Sequence, residues 1–133
     1  MTNAGADRDG ATLGRAQRLL SQRHFRRVYQ RGRRAAGQWM TVVAFVPRGG
    51  RDLEANTTRL GVSVSKDHGG AVRRNKLKRL LREAFRLERH RLPTPADLVL
   101  IPRQRDENFP LEELRRELVI LVQRALGKNG GRP

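Results

Sequence analysis

The spacing of apolar residues along the chain switches between helical and alternating, and each switch marks an element. Between Gln22 and Arg31, residues Phe25, Val28 and Tyr29 recur as one face of a helix. Ser21 stands at the N-cap position, Gly32 where the helix can stop, and Leu20 and Phe25 at the two staple positions. The segment QWMTVVAFV, residues 38–46, is rich in β-branched and aromatic residues up to Pro47 and predicts a strand. A polar connection over 48–57 follows. RLGVSVS (59–65) then alternates, with Leu60, Val62 and Val64 on one face and Gly61, Ser63 and Ser65 on the other. Residues 66–70 predict a turn. Over 71–90, Leu77, Leu80, Leu81, Ala84 and Phe85 share one arc at about 100° per residue, a long helix that Pro93 and Pro95 terminate. DLVLIP (97–102) reads as a buried strand. Residues 110–126 read as a last helix striped by Leu111, Leu114, Leu118, Leu121, Val122 and Ala125, with Glu112 and Glu113 in its first turn. The order helix, strand, strand, helix, strand, helix, without repeats, predicts one sheet with helices packed on it.

The helix over 71–90 has a second face. Asn75, Lys78, Arg79, Arg82 and Arg86 converge on it, and the run from Arg73 to Arg82 contains no acid. Glu83, the first acid after the run, is expected to pair with Arg79 across one turn. A solvated helix face normally mixes both signs, so this one predicts an anionic partner that offsets its self-repulsion. Charge over the whole chain agrees: 29 Lys plus Arg against 13 Asp plus Glu give +16. Residues 15–91 carry that excess, because the flanking stretches nearly cancel. The partner is therefore expected to touch the middle of the chain, and nucleic acid is the chemistry that fits. The absence of cysteine excludes disulfides and thiolate chemistry and predicts a reducing, cytoplasmic location. No apolar run approaches the ~18 residues of a membrane span, and residues 1–14 lack the apolar region of a signal peptide. Residues 1–14 and 127–133 are expected to be disordered tails around a single domain over 15–126.

A search for catalytic chemistry finds none: no nucleophile with its base, no paired carboxylates and no metal-ligand spacing. His24, His68 and His90 are far apart and are expected on the surface or facing RNA. Gly69 and Gly70 read as a turn before the basic helix. Phe25, Tyr29 and Trp39 lie in or beside basic sequence, where each is either core or part of a platform for unstacked bases. Taken together they favour RNA with a single-stranded part.

RLGVSVSK followed by GGAVRRNKLKRLLREAFR (59–66 and 69–86) closely resembles the protein subunit of bacterial ribonuclease P. Its F-x-x-V-x-x-x-G-like segment is met by Phe25, Val28 and Gly32. Its signature helix is met by Arg74, Asn75, Lys78, Arg79, Arg82, Phe85 and Arg86. A D-L-V-L-I-P-R strand and an amphipathic helix follow, so the likeness covers about residues 18–126. It implies an α/β fold, an α+β two-layer sandwich with a mixed sheet of about four strands and three helices. The signature helix would join two parallel strands by a left-handed βαβ crossover. It also implies a holoenzyme whose catalytic centre and Mg²⁺ belong to a large RNA that cleaves the 5′ leader from precursor tRNA. The protein would have no catalytic or metal-binding residue of its own, and neither DNA nor membrane is expected as a partner. Carried over by position, Arg73, Arg74, Asn75, Lys76, Lys78, Arg79, Arg82 and Arg86 would contact the catalytic RNA. Phe25, Tyr29, Trp39, Val42, Ser63, Ser65 and Lys66 would line a cleft for the single-stranded leader. Four positions depart from the family pattern: Lys76 replaces a second Arg, Asp67 and His68 replace a Lys and an apolar residue, and Val42 stands where some members carry a cleft Tyr. A small ribosomal or ribosome-assembly protein would share this size and charge, and is the alternative. A DNA-binding regulator fits less well, because no short turn and second helix accompany the basic one.

Overall fold

The structure, a computed structural model, describes residues 21–47, 58–92, 95–105 and 108–127. The expected tails over 1–14 and 127–133 apart from Gly127, the staple residue Leu20, the 48–57 connection and Pro93 lie outside the described residues; Gly127 caps the end of α3. Among those described, the order is α1 (Gln22–Arg31), β1 (Arg33–Ala36), β2 (Met40–Phe45), β3 (Arg59–Val62), α2 (Ala71–Glu88), β4 (Asp97–Pro102) and α3 (Leu111–Leu126). Short 3₁₀ turns, Lys66–His68 and Arg89–Arg91, flank α2.

Helix boundaries follow local chemistry. The Ser21 side chain accepts the His24 amide at 3.1 Å and starts α1. Gly32 ends it for a reason the sequence hides. Its φ of −78° suits any residue, but a Cβ there would stand 2.5 Å from the Val28 carbonyl oxygen and 2.9 Å from that of Ala44. The glycine lets the helix end meet β2 backbone to backbone. Gly69, at φ 118°, closes the turn before α2 in the left-handed region that favours glycine.

The four strands form one mixed sheet in the order β1-β2-β4-β3. β1 and β4 both pair antiparallel with β2, and β3 pairs parallel with β4. The first strand is an addition to the pattern-based reading, since RRAA has neither alternation nor β-branched residues and is held at the edge by its pairing with β2. Met40, Val42, Ala44, Leu60, Leu98 and Leu100 point to the face covered by α2 and α3, where Leu77, Leu81, Phe85, Leu114, Leu118 and Leu121 complete the main core. Val43 and Val99 point the other way, under Val28 of α1. Sheet with α2 and α3 makes the expected two-layer sandwich, and α1 adds a partial third layer.

The hand of the β3–α2–β4 connection follows from hydrogen bonds. The Arg59 side chain rises toward α1, where it meets His24, while its amide donates to the Ala96 carbonyl beside β4. For an L-residue this puts β4 to the right of β3 when the sheet is viewed from α1 with β3 running upward. With α2 behind the sheet, the crossover is left-handed, against the usual rule.

Candidate nucleic-acid interface

The inward stripe of α2 leaves its other side to solvent. Asn75, Lys76, Arg79 and Arg82 are exposed, and Arg73, Arg74, Lys78 and Arg86 are half-buried. Helical spacing puts Asn75, Lys78, Arg79, Arg82 and Arg86 on the outward face. Arg73 and Lys76 turn instead to the flank beside Arg105, Asn108 and Phe109. Several of these cations are fixed by their own fold. Arg74 Nε donates to the Gly69 carbonyl at 3.1 Å, and Arg73 Nη2 to the Arg105 carbonyl at 3.1 Å. Glu83 pairs with Arg86, not with Arg79 as expected, through bonds of 3.0 and 2.5 Å. A partner three residues C-terminal follows the favourable carboxylate-before-cation order, which a pairing with Arg79 would reverse. The hydrogen bond from Arg86 holds the Glu83 carboxyl below its ordinary 4.5, against the opposing effect of partial burial.

On the other side of the sheet, α1 lies across the strands with Val28 buried between Val43 and Val99. One flank of the helix is tied down by charge. Buried Asp97 accepts two bonds from Arg59, at 2.9 and 2.8 Å, and one from Arg27 at 2.9 Å. His24 Nε2 lies 3.2 Å from Arg59 Nη1. The opposite flank carries Phe25 and Tyr29, half-buried with ring centroids 6.3 Å apart. Register continues this flank onto the sheet: Thr41 sits opposite both Ala36 and Ile101. Both Thr41 and Ile101 remain half-buried. Alternation puts Ser63 and Ser65 on the same face, where β3 leads into Lys66, and Ser65 and Lys66 are exposed. The Arg34 guanidinium lies over the Tyr29 ring at 5.7 Å. The result is a surface on which aromatic, hydroxyl and cationic groups surround the half-buried Thr41 and Ile101.

Two expected cleft residues are elsewhere. Val42 is fully buried beneath α2 and α3, because alternation along β2 sends it to the face opposite Val43. Trp39 is 7% exposed on that same far side, its ring 5.3 Å from Phe109 and 4.4 Å beneath the Arg105 guanidinium. It precedes β2 in the turn from β1, so strand alternation does not govern it. His68, expected on the surface, is also buried, with Nε2 3.3 Å from the Pro102 carbonyl and its ring edge-on to Phe109. It fills the position for which the resemblance implies an apolar residue. Thr41 and Ile101, on the α1 side of the sheet, were not among the expected residues, although alternation outward from Val43 would have shown Thr41. His24 is half-buried in the Arg59 network. No cluster of three or more metal-capable side chains occurs among the described residues.

The ribonuclease P family model matches residues 13–126, the stretch that contains both faces. The chain belongs to the ribonuclease P protein family. It is 37% identical over 113 residues to the ribonuclease P protein component of Brevibacillus brevis, covering 85% of this chain and 86% of that one. Identity to the component from Syntrophus aciditrophicus is 32% over 111 residues, covering 84% and 88%. The ribonuclease P protein of Thermotoga maritima superposes with a TM-score of 0.68 at 31% identity, over 80% of this chain and 96% of that one. For the Staphylococcus aureus protein the TM-score is 0.67 at 29% identity, over 82% and 94%. Membership makes the chain a subunit of the ribonuclease P holoenzyme, an endoribonuclease of precursor-tRNA 5′ processing, with ribonuclease P RNA as its implied partner. Among the described residues no helix is long and apolar enough to cross a membrane.

Proposed function

We propose that this subunit holds two RNAs at once in the cytoplasm, the catalytic RNA on α2 and the single-stranded 5′ leader of precursor tRNA in the cleft beside α1. Hydrolysis then belongs to the RNA and its Mg²⁺, and the protein raises the affinity for substrate and metal. The observation that carries this reading is the placement of two unlike surfaces on opposite sides of one sheet. The α2 face is cationic, with Lys78, Arg79 and Arg82 around the Asn75 amide, a surface for a phosphate backbone. Arg86 takes a smaller share, since Glu83 already engages its guanidinium. The α1 cleft has few charges on its floor and two half-exposed rings, which suits unstacked bases; a duplex would hide its bases from those rings. Phe25, Tyr29, Ser63, Ser65 and Lys66 keep their proposed leader role, joined by Thr41, Ile101 and Arg34. Buried Trp39 and Val42 support that face from below.

The test mixes this protein with a bacterial ribonuclease P RNA and a precursor tRNA bearing a short leader, at millimolar Mg²⁺ low enough that RNA alone is slow. Strong stimulation with a single cut at the mature 5′ end is expected. No stimulation, where a Brevibacillus or Thermotoga subunit stimulates the same RNA, would defeat the proposal.

A further inference from the structure

Between α2 and the segment leading into α3 lies a cavity of about 230 Å³ lined by Arg73, Lys76, Leu77, Leu80, Asn108 and Phe109. We propose that it receives one nucleobase extruded from the RNA strand bound along α2, an inference that rests on the RNA-binding role proposed for that helix. The space is below the roughly 300–1,000 Å³ of drug-sized sites and several times the ~30 Å³ share of a water, the scale of a single planar ring system. Its inner wall is apolar, with Leu77 and Phe109 in the main core and Leu80 half-buried against it. Its outer residues are polar. Arg73 is held at the mouth by its 3.1 Å bond to the Arg105 carbonyl, and exposed Lys76 stands one turn before Leu80. A base seated against Leu80 would leave its flanking phosphates beside two cations, one of them already positioned.

Rigidity supports the same occupant. Phe109 is fixed by ring contacts to Trp39 and His68 at 5.3 and 6.4 Å, so the wall exists before anything binds. This flank is also where Arg73 and Lys76 point, away from the Asn75–Arg79–Arg82 face. The cavity thus gives a role to two cations that the outward face does not use.

Two uncharged plugs test the proposal from opposite walls, Leu80→Trp and Asn108→Trp. Binding to a bacterial ribonuclease P RNA is measured against salt, with circular dichroism as the folding check. Stacking contributions imply a loss of about tenfold or more for each plug. The slope of log affinity against log salt should not change, because no cation is removed. Arg79→Ala, by contrast, should flatten that slope by about 0.7–0.9. If Leu80→Trp fails to fold, Asn108→Trp decides, since Asn108 is exposed and outside the core. A folded plug that binds within twofold of wild type, or a loss accompanied by a flatter slope, overturns the nucleobase site. Wild-type protein that fails to bind the RNA overturns the proposed function instead.

Discussion

Asp97 is fully buried and is the shared acceptor for Arg59 and Arg27. A buried charge is tolerated only when paired, and removal of one partner leaves the other stranded. Asp97→Asn keeps the shape but abandons the 3%-exposed Arg59, so a loss of about 3–5 kcal/mol in urea unfolding is expected. Arg27→Gln should cost far less, because the Arg27 side chain is one-third exposed and Arg59 still holds Asp97. The Glu83–Arg86 pair behaves differently. Its carboxyl titrates lower in the folded protein than in the unfolded chain, so its contribution is present above the ordinary pKa of 4.5 and disappears as pH falls through the lowered value. Both side chains are partly solvated, so Glu83→Gln should lower stability at pH 7 by only about 0.3–0.5 kcal/mol. That difference should vanish in acid, which unfolding curves across pH would show. Neither pairing was legible in the chain order: Arg59 and Asp97 are 38 residues apart. Glu83 had two cations within helical reach, and side-chain geometry chose between them.

Elements depend on one another through a few polar contacts. Glu117 of α3 reaches across to the turn between β1 and β2, where its carboxylate accepts the amides of Gln38, Trp39 at 2.8 Å and Met40 at 3.0 Å. Three donors that the hairpin cannot satisfy within itself are thus held by a charge from 77–79 residues away. Glu117→Gln replaces charge-assisted bonds with at most weaker ones, so a loss of about 1–3 kcal/mol is expected. Faster amide exchange should be confined first to Gln38, Trp39 and Met40; a uniform change across the sheet would contradict a local role. The same dependence explains why β1 escapes a pattern-based reading. RRAA has no signal of its own and becomes a strand because β2 offers an edge and Glu117 pins the turn. α2 and α3 lie at the other extreme, since long amphipathic periods survive any context.

At the scale of the molecule, the sheet separates the two proposed RNA faces. Arg79→Ala should weaken assembly with the catalytic RNA for substrates of any leader length. Phe25→Ala should weaken binding only of precursors that carry a leader. Their free-energy effects on substrate binding should add, as for sites without shared partners. A strong interaction term in the double mutant would mean that the faces are coupled through the sheet. Phe25 also packs against the Val28–Val43–Val99 cluster, so a melting curve must accompany that variant. A large fall in melting temperature with unchanged leader affinity would reassign Phe25 to the core.

The chain by itself determined its helices, its three apolar strands and the cationic face of α2, because each depends on periodicity or on charge that neighbours cannot cancel. It also carried a family signature from Gly61 through Arg86 dense enough to name the partner class. Tertiary structure decided which side of the sheet each residue serves. β2 is apolar on both faces, so Val42 and Val43 look alike in sequence, and only α1 on one side and α2 with α3 on the other tell them apart. Trp39 entered the core because a turn frees it from alternation and Phe109, seventy residues later, waits there to pack against it. The hand of the crossover was beyond any local pattern. A rule obeyed in about 98% of cases points the other way, and it takes the long-range packing of α2 on the far face of the β3–β4 pair to settle it.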